Sequence, residues 1–163
     1  MLPGLAQQCR ISGDKSQVLV TTHSHDFFTS CKPQEVKEQL DALARGAGLT
    51  PRADSPAAGS FTVLNRIAMR EWESWYFGDW PAVRAGFPKV AREAPRSYRG
   101  NLDVVAGKCS DAFEKVLFAG GVRLPSKPGW GRRVGPHLKL EGNRSPSFRA
   151  FVAGVREIAG IRT

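Results

Sequence analysis

Hydrophobic and polar positions along this chain recur with two different periods, and the changes of period mark its elements. Gln17 to Thr22, QVLVTT, is a β-branched run behind the turn signal Gly13-Asp14, and it predicts a short buried strand. From Pro33 to about Ala47 the residues Val36, Leu40, Leu43, Ala44 and Ala47 recur at helical spacing, with Pro33 suited to a first turn and Gly48 to a C-terminal cap. A Pro/Gly/Ala loop, TPRADSPAAG, ends where Phe61, Val63 and Leu64 begin a second strand near residues 60–64. Strand, helix, loop and strand make one βαβ unit, which crosses over right-handed onto a parallel sheet.

The spacing then predicts a helix over Arg66 to Phe77, with Ile67, Met69, Trp72, Trp75 and Tyr76 mostly on one face and Gly78 at its end. Asp79 suits the cap of another short helix with Pro81 in its first turn. Residues 88–108 carry Pro, Gly, Arg and Ser without periodicity and read as a long basic loop. Asp111 and Glu114 open a helix to about Ala119, which Gly120 and Gly121 end, and a weaker helix covers Arg132 to Leu138. Ser145 caps a final helix with Pro146 in its first turn and an apolar stripe of Phe148, Phe151, Val152, Val155 and Ile158. The expected fold class is therefore α/β: an α/β part over residues 1–80, then a mostly helical basic extension over 81–163 packed on the same domain. A chain of 163 residues is long enough for this, since a domain of that size buries roughly 70% of its unfolded surface.

Charge adds a direction to the picture. The net charge is +9, yet residues 1–80 hold 8 Lys/Arg against 9 Asp/Glu, and residues 81–163 hold 16 against 6. A positive field confined to one half concentrates polyanions there, so nucleic acid is the leading partner class, with a merely solubilising basic surface as the plain alternative. No run approaches the roughly 20 apolar residues of a membrane span, and the start MLPGLAQQCR lacks a secretory pattern, so a cytoplasmic protein without a membrane partner is expected. Cys9, Cys31 and Cys109 are an odd, widely spaced set that encodes neither a disulfide framework nor a zinc ribbon.

Two motifs carry candidate chemistry. His23-Ser24-His25-Asp26 follows the first strand, but Phe28 stands where an H-x-H-x-D-H zinc site needs a further His, and His137 is the one His left elsewhere. The same segment, SQVLVTTHSHDFF, resembles the late strand of ABC-type and AAA-type ATPase domains that ends in T-H-S, although no G-x-x-x-x-G-K-[ST] phosphate loop occurs in the chain. The second motif is E-W-E-S-W-Y-F-G-D, holding Glu71, Glu73 and Asp79. On one helix Glu71 and Glu73 would point about 200° apart. One Glu can instead join Asp79, brought round by Gly78, in an oxygen-ligand Mg²⁺ site. The bland reading makes Trp72, Trp75 and Trp80 core aromatics and the acids helix caps or partners of Arg66 and Arg70.

The segments VKEQLDALARGAGL, VLNRIAMREWESWYFGDWPAVRAGFP and SKPGWGRRVGPHLKLEGNRSPSF, within about residues 37–160, resemble a bacterial family known as domain of unknown function 4276. What the resemblance implies is a TOPRIM-like fold, association with AAA-type ATPases, and Mg²⁺-dependent phosphodiester chemistry in which the metal activates water. It would make Glu71, Glu73 and Asp79 catalytic, and Glu71, Asp79 and Asp26 metal ligands. The first strand departs from a TOPRIM pattern, since no E-G-x-T-E precedes it and it ends in T-H-S-H-D.

Lys127, Arg132, Arg133, Lys139, Arg144 and Arg149 crowd into a short C-terminal stretch with Trp130 and Phe148 among them. Arg grips phosphate bidentately and an exposed aromatic stacks on a base, so Lys127, Arg132, Arg133, Arg144 and Arg149 are the candidate nucleic-acid contacts. The function expected is that of a TOPRIM-like protein acting on nucleic acid with a partner ATPase, ancestrally a metal nuclease and in the setting of mobile-element defence. The alternative is a non-catalytic nucleic-acid or ATPase-binding module, or a truncated uncharacterised protein.

Overall fold

A computed structural model of the chain describes residues 18–23, 33–55, 61–123 and 126–158. The fold is mixed α/β, with two strands, six α-helices and short 3-10 turns among the described residues. It divides into two units, residues 1–67 with 153–163, and residues 68–152.

In the first unit, β1 (Val18–His23) pairs with β2 (Val63–Ala68, whose last residue falls in the second unit) in a two-stranded sheet. Between them in sequence comes α1 (Pro33–Gly46), which buries Val36, Leu40 and Ala44 as its helical spacing requires. Buried Asp41 on α1 accepts a 2.6 Å hydrogen bond from Asn65 Nδ2 on β2, and Lys37 Nζ lies 3.7 Å from the same carboxylate. The chain re-enters β2 through a parallel bridge between Pro51 and Val63. Gly154 lies so close to β2 that a Cβ on it would stand 2.6 Å from Leu64 Cδ2.

The sequence pattern placed a strand near 60–64 and a helix from Arg66. The strand runs instead to Ala68, and α2 begins only at Glu73 (Glu73–Gly78). The periodicity misled because Val63 and Leu64 are both fully buried, so both faces of β2 are covered and no alternation marks it. Residues 69–72 make the turn between the two elements.

The second unit is an aromatic-cored helical cluster. α2 is followed at once by α3 (Trp80–Gly86), with Asp79 between them as the cap that the sequence predicts: its Oδ1 accepts from Ala82 N at 3.2 Å. α4 (Cys109–Ala119), α5 (Lys127–Val134) and α6 (Pro146–Ile158, divided between the units after Val152) complete it. Ser126 caps α5 through Gly129 N, so that helix starts five residues before the predicted Arg132 and ends in a 3-10 turn at Gly135–His137. Fully buried Phe77 sits at the centre, stacked 3.8 Å from Tyr98 and in edge contact with Phe113 at 5.7 Å. Each such pair adds about 0.5–1.5 kcal/mol beyond area burial. The long basic stretch 88–108 is anchored to this core by Val90, Ala94, Tyr98 and Leu102, all buried. A second cluster packs Trp75 against Phe148 and Phe151. Among the described residues no helix is long and apolar enough to cross a membrane.

Candidate functional site

The acidic segment is built by the turn after β2 and the first turn of α2. Glu71 precedes the helix, so the 200° separation expected on a continuous helix does not apply, and it reaches the start of α4. Its Oε2 accepts from Ser110 N at 2.8 Å and its Oε1 from Ser110 Oγ at 2.8 Å. A carboxylate on the first turn of a helix is also favoured by the helix dipole. Lys127 Nζ, at the start of α5, lies 3.3 Å from Glu71 Oε1 and 3.5 Å from Glu73 Oε1. Glu71 and Glu73 therefore meet at one cation, and that cation is Lys127, a residue the sequence assigned to nucleic acid.

Asp79 has separate duties. Besides capping α3, its Oδ2 accepts from Lys139 N at 2.8 Å, which pins the segment after the 3-10 turn. The Glu71 and Asp79 pairing expected for a metal is replaced by a Glu71 and Glu73 pairing around Lys127. Asp26, the third expected ligand, lies outside the described residues, as does His25.

Mg²⁺ takes a near-octahedral shell of oxygens. Both oxygens of Glu71 are engaged by Ser110 donors, an ammonium lies beside Glu71 and Glu73, and each oxygen of Asp79 holds a backbone N–H. Among the described residues no three of His, Cys, Asp and Glu converge. These residues as arranged do not fit Mg²⁺.

Electrostatics favour the charged forms of Glu71 and Lys127. Burial works to raise the Glu71 carboxyl, but the two Ser110 donors and Lys127 outweigh it and hold the group below its ordinary range. Burial likewise works to lower Lys127, and Glu73 and Glu71 outweigh it and raise the ammonium. Nearby, Arg70 donates to Gly107 O, and burial with neighbouring Cys109 pushes Tyr98 up to about 12.

The predicted basic contacts separate into two kinds. Arg144 is a tie within the fold: Nη1 donates to Arg99 O at 2.6 Å, and Nη2 to Phe77 O at 3.1 Å and Tyr98 O at 3.0 Å. Arg149 donates to Asn143 O and Arg144 O, and Arg133 lies 5.4 Å over the Phe87 ring. Arg132 is exposed, without such a tie among the described residues.

The sequence reading missed a cleft of about 520 Å³ in the second unit. Arg84, Arg92, Arg99 and Arg144 line it, with Trp80, Pro81 and Ala94 as its apolar wall and Glu93 as its one acid. Arg84 follows from α3, but Arg92 and Arg99 lay in a stretch without period, where only the density of arginines was a signal.

Residues 13–156 match the family described as domain of unknown function DUF4276. The match takes in β1, which the resemblance from residue 37 had left outside. No curated protein and no solved structure matches the chain.

Proposed function

Because the chain belongs to the DUF4276 family, we propose that it is a nucleic-acid-binding member of that family, TOPRIM-like in ancestry and working with a partner AAA-type ATPase. One observation carries this reading: the second unit holds nearly twice as many bases as acids and engages half of those acids within its own fold, while most of its bases stay exposed. Residues 68–152 hold 15 Lys/Arg and 8 Asp/Glu. Of those acids, Glu73 and Asp79 are buried, Glu71 is spent on Ser110, and Asp103 caps α6 by accepting from Ser147 N at 2.9 Å. Arg84, Lys89, Arg92, Lys108, Lys115 and Arg132 remain exposed. Such a surface neutralises phosphates and releases their counterions, which is the main source of non-specific nucleic-acid affinity.

Cleavage of the phosphodiester is a second reading, favoured by the convergence of Glu71 and Glu73 on one cation. It is weakened by Lys127 being that cation. The experiment is to incubate the purified protein with plasmid, linear DNA and RNA in Mg²⁺ or Mn²⁺, alone and with a candidate partner AAA-type ATPase. Retention of nucleic acid without cleavage supports the binding reading. Cleavage that Glu71→Ala abolishes supports the nuclease reading, and neither retention nor cleavage removes both.

A further inference from the structure

We infer that the arginine-lined cleft of the second unit is a binding site for a phosphate monoester, the group at the end of a nucleic-acid strand or on a free nucleotide. The inference deepens the nucleic-acid reading and rests on it for the strand-end source.

Two of the four guanidinium groups are preorganised. Arg144 is fixed by the carbonyls of Phe77, Tyr98 and Arg99, all neutral acceptors, so its full positive charge is held in place at the cleft. Arg99 is fixed by Nε donating to Ala94 O at 2.9 Å and by Nη2 lying 2.7 Å from Glu93 Oε2. These ties mean that little side-chain entropy is lost when an anion arrives. The other two, Arg84 on α3 and Arg92 in the anchored stretch, are exposed and have no hydrogen bond or ion pair among the described residues.

Charge decides the ligand class. Four arginines against Glu93 leave an excess of three positive charges around one cavity. A single phosphodiester supplies one negative charge, whereas a phosphate monoester supplies about 1.5 to 2 near neutral pH with three acceptor oxygens. The untied forks of Arg84 and Arg92 match those oxygens bidentately, while Arg144 and Arg99, whose forks are engaged by carbonyls and Glu93, add positive charge. A volume of about 520 Å³ lies within the range of small-ligand clefts, and Trp80, Pro81 and Ala94 give a sugar or base an apolar wall. Trp80 is itself held rigid, stacked on Phe77 at 5.9 Å with Nε1 donating to Ala91 O at 3.1 Å.

The test is fluorescence anisotropy with short labelled oligonucleotides carrying a 5′-phosphate, a 3′-phosphate or hydroxyl ends, alongside a long duplex. The intact chain and the double variant Arg84→Gln, Arg92→Gln are compared; both positions are exposed and make no tie among the described residues. The intact chain should bind a phosphorylated end at least about tenfold more tightly than a hydroxyl end, since charge-assisted hydrogen bonds of this kind exceed that ratio. The double variant should lose the preference for phosphorylated over hydroxyl ends, a ratio that a general weakening of phosphate contacts, as on the long duplex, leaves unchanged. Competition by adenosine monophosphate as strong as by the phosphorylated oligonucleotide supports the site with a free nucleotide as its ligand, and weaker competition supports a strand end. Equal affinity for phosphorylated and hydroxyl ends overturns the inference, as does a preference that survives in the double variant. Loss of long-duplex binding by the intact chain would instead count against the nucleic-acid reading, so the two failures are separable.

Discussion

Gly78 should be irreplaceable for a reason that lies in the side chain across from it. A Cβ at this position would stand 2.0 Å from Asn143 Oδ1 and 2.8 Å from its Cγ, far inside contact distance. Asn143 is 1% exposed and makes two bonds there: Nδ2 donates to Trp75 O at 2.9 Å, and Oδ1 accepts from Ser145 N at 2.9 Å. It has no room to retreat without breaking them, because Arg144 N bonds Gly78 O at 3.1 Å and holds the two backbones together. Buried polar groups stranded in this way cost about 1–3 kcal/mol each. Against that, Ala in place of Gly in a helix gains up to about 1 kcal/mol. Gly78→Ala should therefore destabilise by about 2–4 kcal/mol, which at this chain length lowers Tm by roughly 5–15 °C. Thermal denaturation followed by circular dichroism measures it, and a double-mutant cycle identifies the cause. In an Asn143→Ala background the clash is gone, so adding Gly78→Ala should cost nothing further. A Gly78→Ala single variant as stable as the parent, or a double variant much weaker than Asn143→Ala alone, would refute the reasoning.

Glu71 gives a pH signature. Its folded carboxyl lies below the ordinary value, so the stability it contributes is present above the unfolded pKa near 4.5 and is lost as pH falls through the folded value. Urea denaturation at a series of acidic pH values should show the parent losing stability below about pH 4.5, with a shallower loss in Glu71→Gln. The two tyrosines supply an alkaline counterpart. Burial raises Tyr76, and burial with the Cys109 thiol takes Tyr98 to about 12, so native phenolate absorbance should stay low at pH 10 and appear at ordinary values only in denaturant. Full ionisation of one tyrosine near pH 10 in the native protein would contradict the packing described for both.

Elements marked by local chemistry were readable in the sequence: the α1 spacing, the Asp79 cap with Pro81 behind it, and Ser145 before Pro146. Phe148 N does bond Ser145 Oγ, at 3.3 Å. The boundary at Arg66 was not readable, because a strand covered on both faces loses its alternation and the following aromatics resemble a helix stripe. The site was harder still. That Glu71 and Glu73 share Lys127 depends on contacts across 56 and 54 residues of chain, and on Glu71 lying outside the helix. That Arg144 and Arg149 also tie the fold through carbonyl partners is visible only once the chain is folded. The cleft escaped notice because Arg92 and Arg99 belong to a stretch whose order comes from tertiary anchors such as Tyr98 and Leu102 rather than from any period.

If the exposed bases hold nucleic acid through its phosphates, binding must weaken with salt. The most direct measurement is the affinity of the intact chain for a labelled duplex across a range of salt concentrations. Counterion release predicts that the logarithm of the association constant falls linearly with the logarithm of salt, with a slope of about −0.9 for each phosphate neutralised, and at least about −3 for a surface of this charge. A flat dependence, or no binding at low salt, would contradict the proposed function.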